Sequence, residues 1–191
     1  MENFANPLSI IESGRTTTVI ALELFDRLES VDIDFMQGRW RGSEFPTEHP
    51  VDGLLEILNW YGKEFVNSEI VHPLLFLDER NQIFKVVPYP FLINFVAELP
   101  MFKDGSLKGW LPYFRPLLLS LNSSLMRTEQ SQAQLKMVEY RGRVTTGMIY
   151  DYLPIVDYFK KINETTVLGL MDWKKLPQPF FFILKKCGTT T

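Results

Sequence analysis

Apolar residues recur at helical spacing in a few stretches of the chain and alternate with polar ones in many others. Over residues 16–29, Ile20, Leu24 and Leu28 share a helical face that Ala21 and Phe25 widen, and the threonines at the start suit a helix cap. Residues 35–45 read as a strand, with Gly38, Trp40 and Gly42 on one side and Arg39 and Arg41 on the other. A second helix is predicted over 50–61, with Pro50 at its first position, Leu54, Ile57, Leu58 and Tyr61 as its buried stripe, and Gly62 as the left-handed residue that ends it. Residues 69–77 and 83–87 read as a hairpin, and 134–143 and 144–150 as two further strands. Residues 154–162 have Ile155, Phe159 and Ile162 in helical register, and 165–173 and 180–186 read as the closing strands. Residues 1–15 are predicted irregular, while Pro88, Pro90 and Pro100 interrupt the stretch after the hairpin. Gly109, Pro112 and Pro116 reduce 106–126 to short helical turns or a covering loop. The expectation is a mainly β fold with helices: an antiparallel β-barrel with helical inserts, in a curved sheet of about eight to ten strands.

Composition narrows the function. The aromatic share is 14%, with 15 Phe among 191 residues, which favours a packed β interior or the walls of an apolar site. Lys plus Arg number 20 against 23 Asp plus Glu, so no basic excess exists to neutralise a nucleic-acid backbone, and no nucleic-acid partner is expected. No charge-free stretch approaches the ~20 apolar residues of a spanning helix, and the first residues do not read as a secretory signal. A cytoplasmic protein without a membrane partner is the expectation. It fits the single cysteine, Cys187, which reads as an inert thiol. The sequence carries no signal of oligomeric state.

The segments Gly38-x-Trp40-x-Gly42, His49-Pro50-Val51-Asp52-Gly53, Trp60-Tyr61-Gly62-Lys63 and His72-Pro73-Leu74-Leu75-Phe76 together resemble the GXWXG domain. Tyr140-Arg141-Gly142, residues 145–151, Pro154-Ile155-Val156-Asp157, residues 167–172 and residues 180–184 resemble the uncharacterised domain that usually accompanies it on the C-terminal side. The resemblance covers about residues 30–187. Its two parts, 30–90 and 130–187, are expected to complete one barrel within a single domain of residues 1–191. More loosely, the Gly-x-Trp strand, helical insert and strand meander are similar to lipocalin and fatty-acid-binding-protein barrels, which enclose one apolar ligand. A haem barrel of the nitrobindin kind has a similar first strand and takes its iron ligand from a late histidine. This chain has no histidine after His72.

Familiar catalytic signatures are missing: there is no phosphate loop, no Gly-x-Ser-x-Gly elbow and no zinc spacing, so neither a metal nor a cofactor is expected. Trp40 reads as the floor of the barrel or a ligand wall, with Trp60 and Tyr150 as further wall residues. His49, just before a helix start, reads as a cap, an acid/base group or a carboxylate partner. His72, among apolar neighbours, reads as a structural histidine, an acid/base group or a residue of the ligand site, an axial haem ligand included. Arg141, beside Tyr140, is the expected anchor for a ligand carboxylate, against a surface ion pair. Asp151, Asp157 and Asp172 read as helix caps and partners of buried arginines, or as acid/base groups. The function expected first is binding of a hydrophobic small molecule: a lipid, fatty-acid-like, isoprenoid or tetrapyrrole ligand. An isomerase, cyclase or hydrolase working by acid/base chemistry in the same interior is the alternative. An interaction protein with a filled barrel and a functional loop at 100–127 is the third reading.

Overall fold

The structure is a computed structural model that describes residues 7–87 and 126–188. The expected covering or functional loop over 100–127 lies almost wholly outside the described residues. Ten strands are described, all paired antiparallel: β1 (Glu29–Ser30), β2 (Gly38–Glu44), β3 (Trp60–Phe65), β4 (Val71–Leu77), β5 (Ile83–Lys85), β6 (Ala133–Tyr140), β7 (Arg143–Tyr150), β8 (Ile155–Asn163), β9 (Thr166–Trp173) and β10 (Phe180–Lys186). Eight of them close on themselves in the order β2-β3-β4-β6-β7-β8-β9-β10, with β10 returning to β2. This is the expected antiparallel barrel. Strand β1 adds outside β8, and β5 outside β4.

Four short helices accompany the barrel among the described residues: α1 (Pro7–Glu12), α2 (Thr18–Arg27), α3 (Ile33–Met36) and α4 (Leu54–Ile57). Thr17 caps α2 through its hydroxyl, and Asp32 caps α3 by accepting from Phe35 N at 2.7 Å. Ala21, Leu24 and Phe25 of α2 pack on the outer face of the barrel against Leu168, Leu170, Phe181 and Ile183. Strands β9 and β10 are therefore apolar on both faces, which is why residues 180–184 read as an unbroken hydrophobic run.

Inside the barrel, Trp40 is fully buried and donates its indole N–H to the Met36 carbonyl at 2.7 Å, tying α3 to the barrel wall. At the other end of β2, Glu44 accepts from the backbone N–H groups of Gly53, Leu55 and Glu56 and holds the start of α4.

Three expected elements are corrected. The helix expected over 50–61 shrinks to α4; Asn59, at φ 56°, stops it, and Trp60 already begins β3. Residues 155–163 form strand β8 instead of a helix, pairing with β9 along its length. The turn between β6 and β7 falls at Arg141-Gly142, not at 143–144. Both residues have positive φ, 51° and 75°, as a two-residue hairpin turn of matching twist requires. In addition, the start predicted irregular contains α1.

Candidate functional site

The barrel interior is lined by large apolar side chains, among them Phe65, Met148, Phe159, Trp173, Phe182 and Leu184. Two opposite charges lie within this lining. Lys63 Nζ stands 2.8 Å from Asp157 Oδ2, and the two side chains are 4% and 1% exposed.

Lys63 reaches the interior through an irregularity in β3. Plain alternation from Trp60 would turn Lys63 outward with Tyr61. Instead the register with β4 slips between Trp60 and Gly62 and again between Gly62 and Glu64. Gly62 carries the kink at φ 145°, and a Cβ there would lie 2.0 Å from the Trp40 carbonyl oxygen, so only glycine fits. The shift turns Trp60, Lys63 and Phe65 all toward the core. Asp157 arrives by ordinary alternation, between the inward residues Ile155 and Phe159 of β8.

The Lys63 ammonium donates to the Pro73 carbonyl at 3.2 Å and to the Tyr150 hydroxyl at 3.5 Å. It also sits 5.0 Å from the Phe182 ring centre, 5.6 Å from Trp60 and 5.8 Å from Tyr150, within the range of cation–π attraction. Burial pushes the Asp157 carboxyl above its ordinary pKa, and the Lys63 charge and contact oppose that rise. Burial, then the Asp157 charge, pushes the Tyr150 hydroxyl well above its ordinary range. Asp157 meets Lys63 as an ion pair outside good hydrogen-bond alignment. Among the described residues, neither carboxylate oxygen has a hydrogen-bond donor, and the indole N–H groups of Trp60 and Trp173 have no acceptor. Trp173 belongs to this neighbourhood because Ile155 pairs with it and Asp157 pairs with Met171, one step along the same face.

The structure brings together Trp60, Tyr150 and Asp157 of the residues singled out in the sequence, and adds Lys63, Trp173 and Phe182. Trp40 lines the same core near α3. The others lie elsewhere. Arg141 occupies the β6–β7 turn outside the barrel and grips Asp26 of α2 with two contacts of 2.7 Å. Tyr140 stacks on Tyr158 at 3.8 Å on the outer face. His72 pairs across from Glu64, on the side of β4 away from the core, and burial followed by the Lys85 charge lowers its pKa. His49 is buried in the turn before α4, with Nε2 3.1 Å from the Gln178 carbonyl and Nδ1 accepting from Val51 N. Asp151 and Asp172 are exposed.

Tyr140 supplies a pH test of the outer packing. Burial, then the Asp172 charge, pushes its hydroxyl up to about 12 from an ordinary 10.0. The folded state thus keeps a proton that the unfolded chain releases. This contribution is intact below pH ~10 and is lost as the pH rises through ~12. Urea midpoints should fall across that window, and Tyr140→Phe should make the fall shallower. An identical slope in both proteins would remove Tyr140 from the cause.

Residues 23–80 match the family described as GXWXG protein, and residues 131–186 match a domain of unknown function (DUF4334). The chain is thus a GXWXG-domain protein that carries this second domain after it, and strands of both segments share one barrel. It is similar to a solved protein of Thermomonospora curvata at 29% identity and a TM-score of 0.66, covering 98% of this chain and 100% of that one. No curated protein matches. No helix among the described residues is long and apolar enough to cross a membrane.

Proposed function

We propose that the barrel binds a hydrophobic small molecule, with its apolar body among the interior aromatic rings and its polar end at Lys63, Asp157 and Tyr150. The observation that carries this reading is the retention, among the apolar side chains that line the interior, of an ion pair and several polar atoms that have no partner among the described residues. A buried pair with incomplete hydrogen bonding adds little stability, because desolvation offsets most of its attraction. A ligand group that completes those bonds gives the polar atoms a use. A cytoplasmic setting fits the free thiol of Cys187.

Native mass spectrometry of the full chain purified from its own host tests the reading. A non-covalent lipid-sized adduct is expected on the wild type and on Arg141→Met. It should be lost from the double variant Lys63→Met/Asp157→Leu. Equal adduct on all three proteins would move the ligand out of the barrel.

The convergence of Asp157 and Tyr150, both titratable and both with raised pKa, supports a second reading: acid/base catalysis on a bound carbonyl compound. Protein-dependent uptake of solvent deuterium next to the carbonyl of a bound ketone, lost in Asp157→Asn, would favour it over simple binding.

A further inference from the structure

We infer that the ligand's polar end is an uncharged hydroxyl group, so that the barrel selects a lipophilic alcohol over a fatty acid. This rests on the reading of the interior as a binding site and narrows it.

Charge disfavours a fatty acid. Lys63 and Asp157 neutralise each other at 2.8 Å, so the interior pair as a whole has no net charge. A carboxylate placed beside it would leave one buried negative charge uncompensated and facing Asp157, which a medium of low dielectric strongly disfavours. The arginine best suited by sequence to hold a carboxylate, Arg141, is outside the barrel and already paired with Asp26.

The balance of donors and acceptors favours a hydroxyl. An ammonium has three protons to donate. Lys63 gives two of them to the Pro73 carbonyl and the Tyr150 oxygen and faces Asp157 Oδ2 at 2.8 Å out of hydrogen-bond alignment, so at most one is left for a ligand oxygen. Among the described residues, what else remains is one kind of acceptor, the Asp157 carboxylate, and three donors: the indole N–H groups of Trp60 and Trp173, and the Tyr150 O–H, whose oxygen already accepts from Lys63. A hydroxyl both donates and accepts. It can donate to Asp157 while accepting from Tyr150 or an indole. A ketone accepts only and leaves Asp157 without a donor. A carboxylate also accepts only, and is repelled. A hydrocarbon satisfies nothing.

Competition against bound Nile red, an uncharged fluorescent probe, tests this on the full chain at about pH 8. Two skeletons guard against a failure of shape: a straight dodecyl chain and decalin, each as alcohol, ketone, carboxylate and hydrocarbon. On the skeleton that enters, the alcohol should compete at least about tenfold more tightly than the carboxylate or the hydrocarbon. Tyr150→Phe should weaken the alcohol several-fold and leave the hydrocarbon unchanged. Asp157→Asn leaves the Lys63 charge uncompensated and should reverse the preference toward the carboxylate. If that variant does not fold, Lys63→Met/Asp157→Leu should bind the alcohol no more tightly than the hydrocarbon. A carboxylate that matches or beats the alcohol on the wild type, or an alcohol no better than its hydrocarbon, overturns the hydroxyl assignment and leaves interior binding standing. Nile red bound but displaced by no compound also overturns it. Failure of Nile red and all eight compounds to bind overturns the underlying reading as well.

Discussion

Replacing Trp40 with alanine should destabilise the protein by about 3–5 kcal/mol, the range for emptying a large aromatic site in a packed core. The indole is fully buried, lies 6.0 Å from the Phe35 ring, and has Lys186 Nζ 5.3 Å from its own ring. Its N–H is also the donor to the Met36 carbonyl, so its loss strands a carbonyl at the end of α3 as well as opening a hole. Trp40→Phe separates the two effects. It keeps most of the ring contact and should cost about 1–3 kcal/mol, the penalty for an unpaired buried polar group. Urea unfolding of the three proteins measures both numbers. An unchanged midpoint for the alanine variant would mean that the indole is not part of the stabilising core.

The barrel was legible in the sequence because most of its walls obey simple rules. Strands β6, β7, β9 and β10 lie close to where alternation and apolar runs put them, and the β4–β5 hairpin obeys its turn residues. Trp40 between two glycines identified the first wall strand, and Gly42 makes room for the Trp60 ring, which would lie 2.2 Å from an added Cβ.

The site was hidden by the same features that make it unusual. Strand β8 turns Ile155, Asp157 and Phe159 inward. A carboxylate at the centre of that face breaks the alternation that marks a strand, and Ile155, Phe159 and Ile162 then fit a helix better. Lys63 was concealed twice. It comes after a stretch that reads as a helix, and it faces the core only because the β3 irregularity reverses which residues point inward. No hydrophobic pattern marks such a reversal; the paired Gly62-Lys63 was the available clue. Arg141 was misplaced for a related reason. Reading the strand through to Arg143 kept it in the barrel wall, whereas the Arg141-Gly142 turn swings it outward to Asp26.

The interior ion pair yields the second large effect. Lys63→Met or Asp157→Ala alone should cost about 3–5 kcal/mol, because each strands the other charge where water cannot reach it. The double variant Lys63→Met/Asp157→Leu fills similar volume without charge. It should be at least as stable as the wild type, with a gain of up to about 1–4 kcal/mol. The two single variants should also differ in their pH dependence. With Lys63 gone, nothing offsets the burial that raises the Asp157 carboxyl. That group then takes up a proton more readily when folded than when unfolded, so stability is lost as the pH rises through its folded pKa. The deficit of Lys63→Met relative to the wild type should therefore shrink toward acidic pH, while Asp157→Ala, which has no carboxyl at this position, should show no such recovery. Thermal unfolding of the four proteins between about pH 4 and 8 reads all of these together. A double variant less stable than both singles would make the pair a structural support in its own right, and the interior would then have no need of a ligand to account for it.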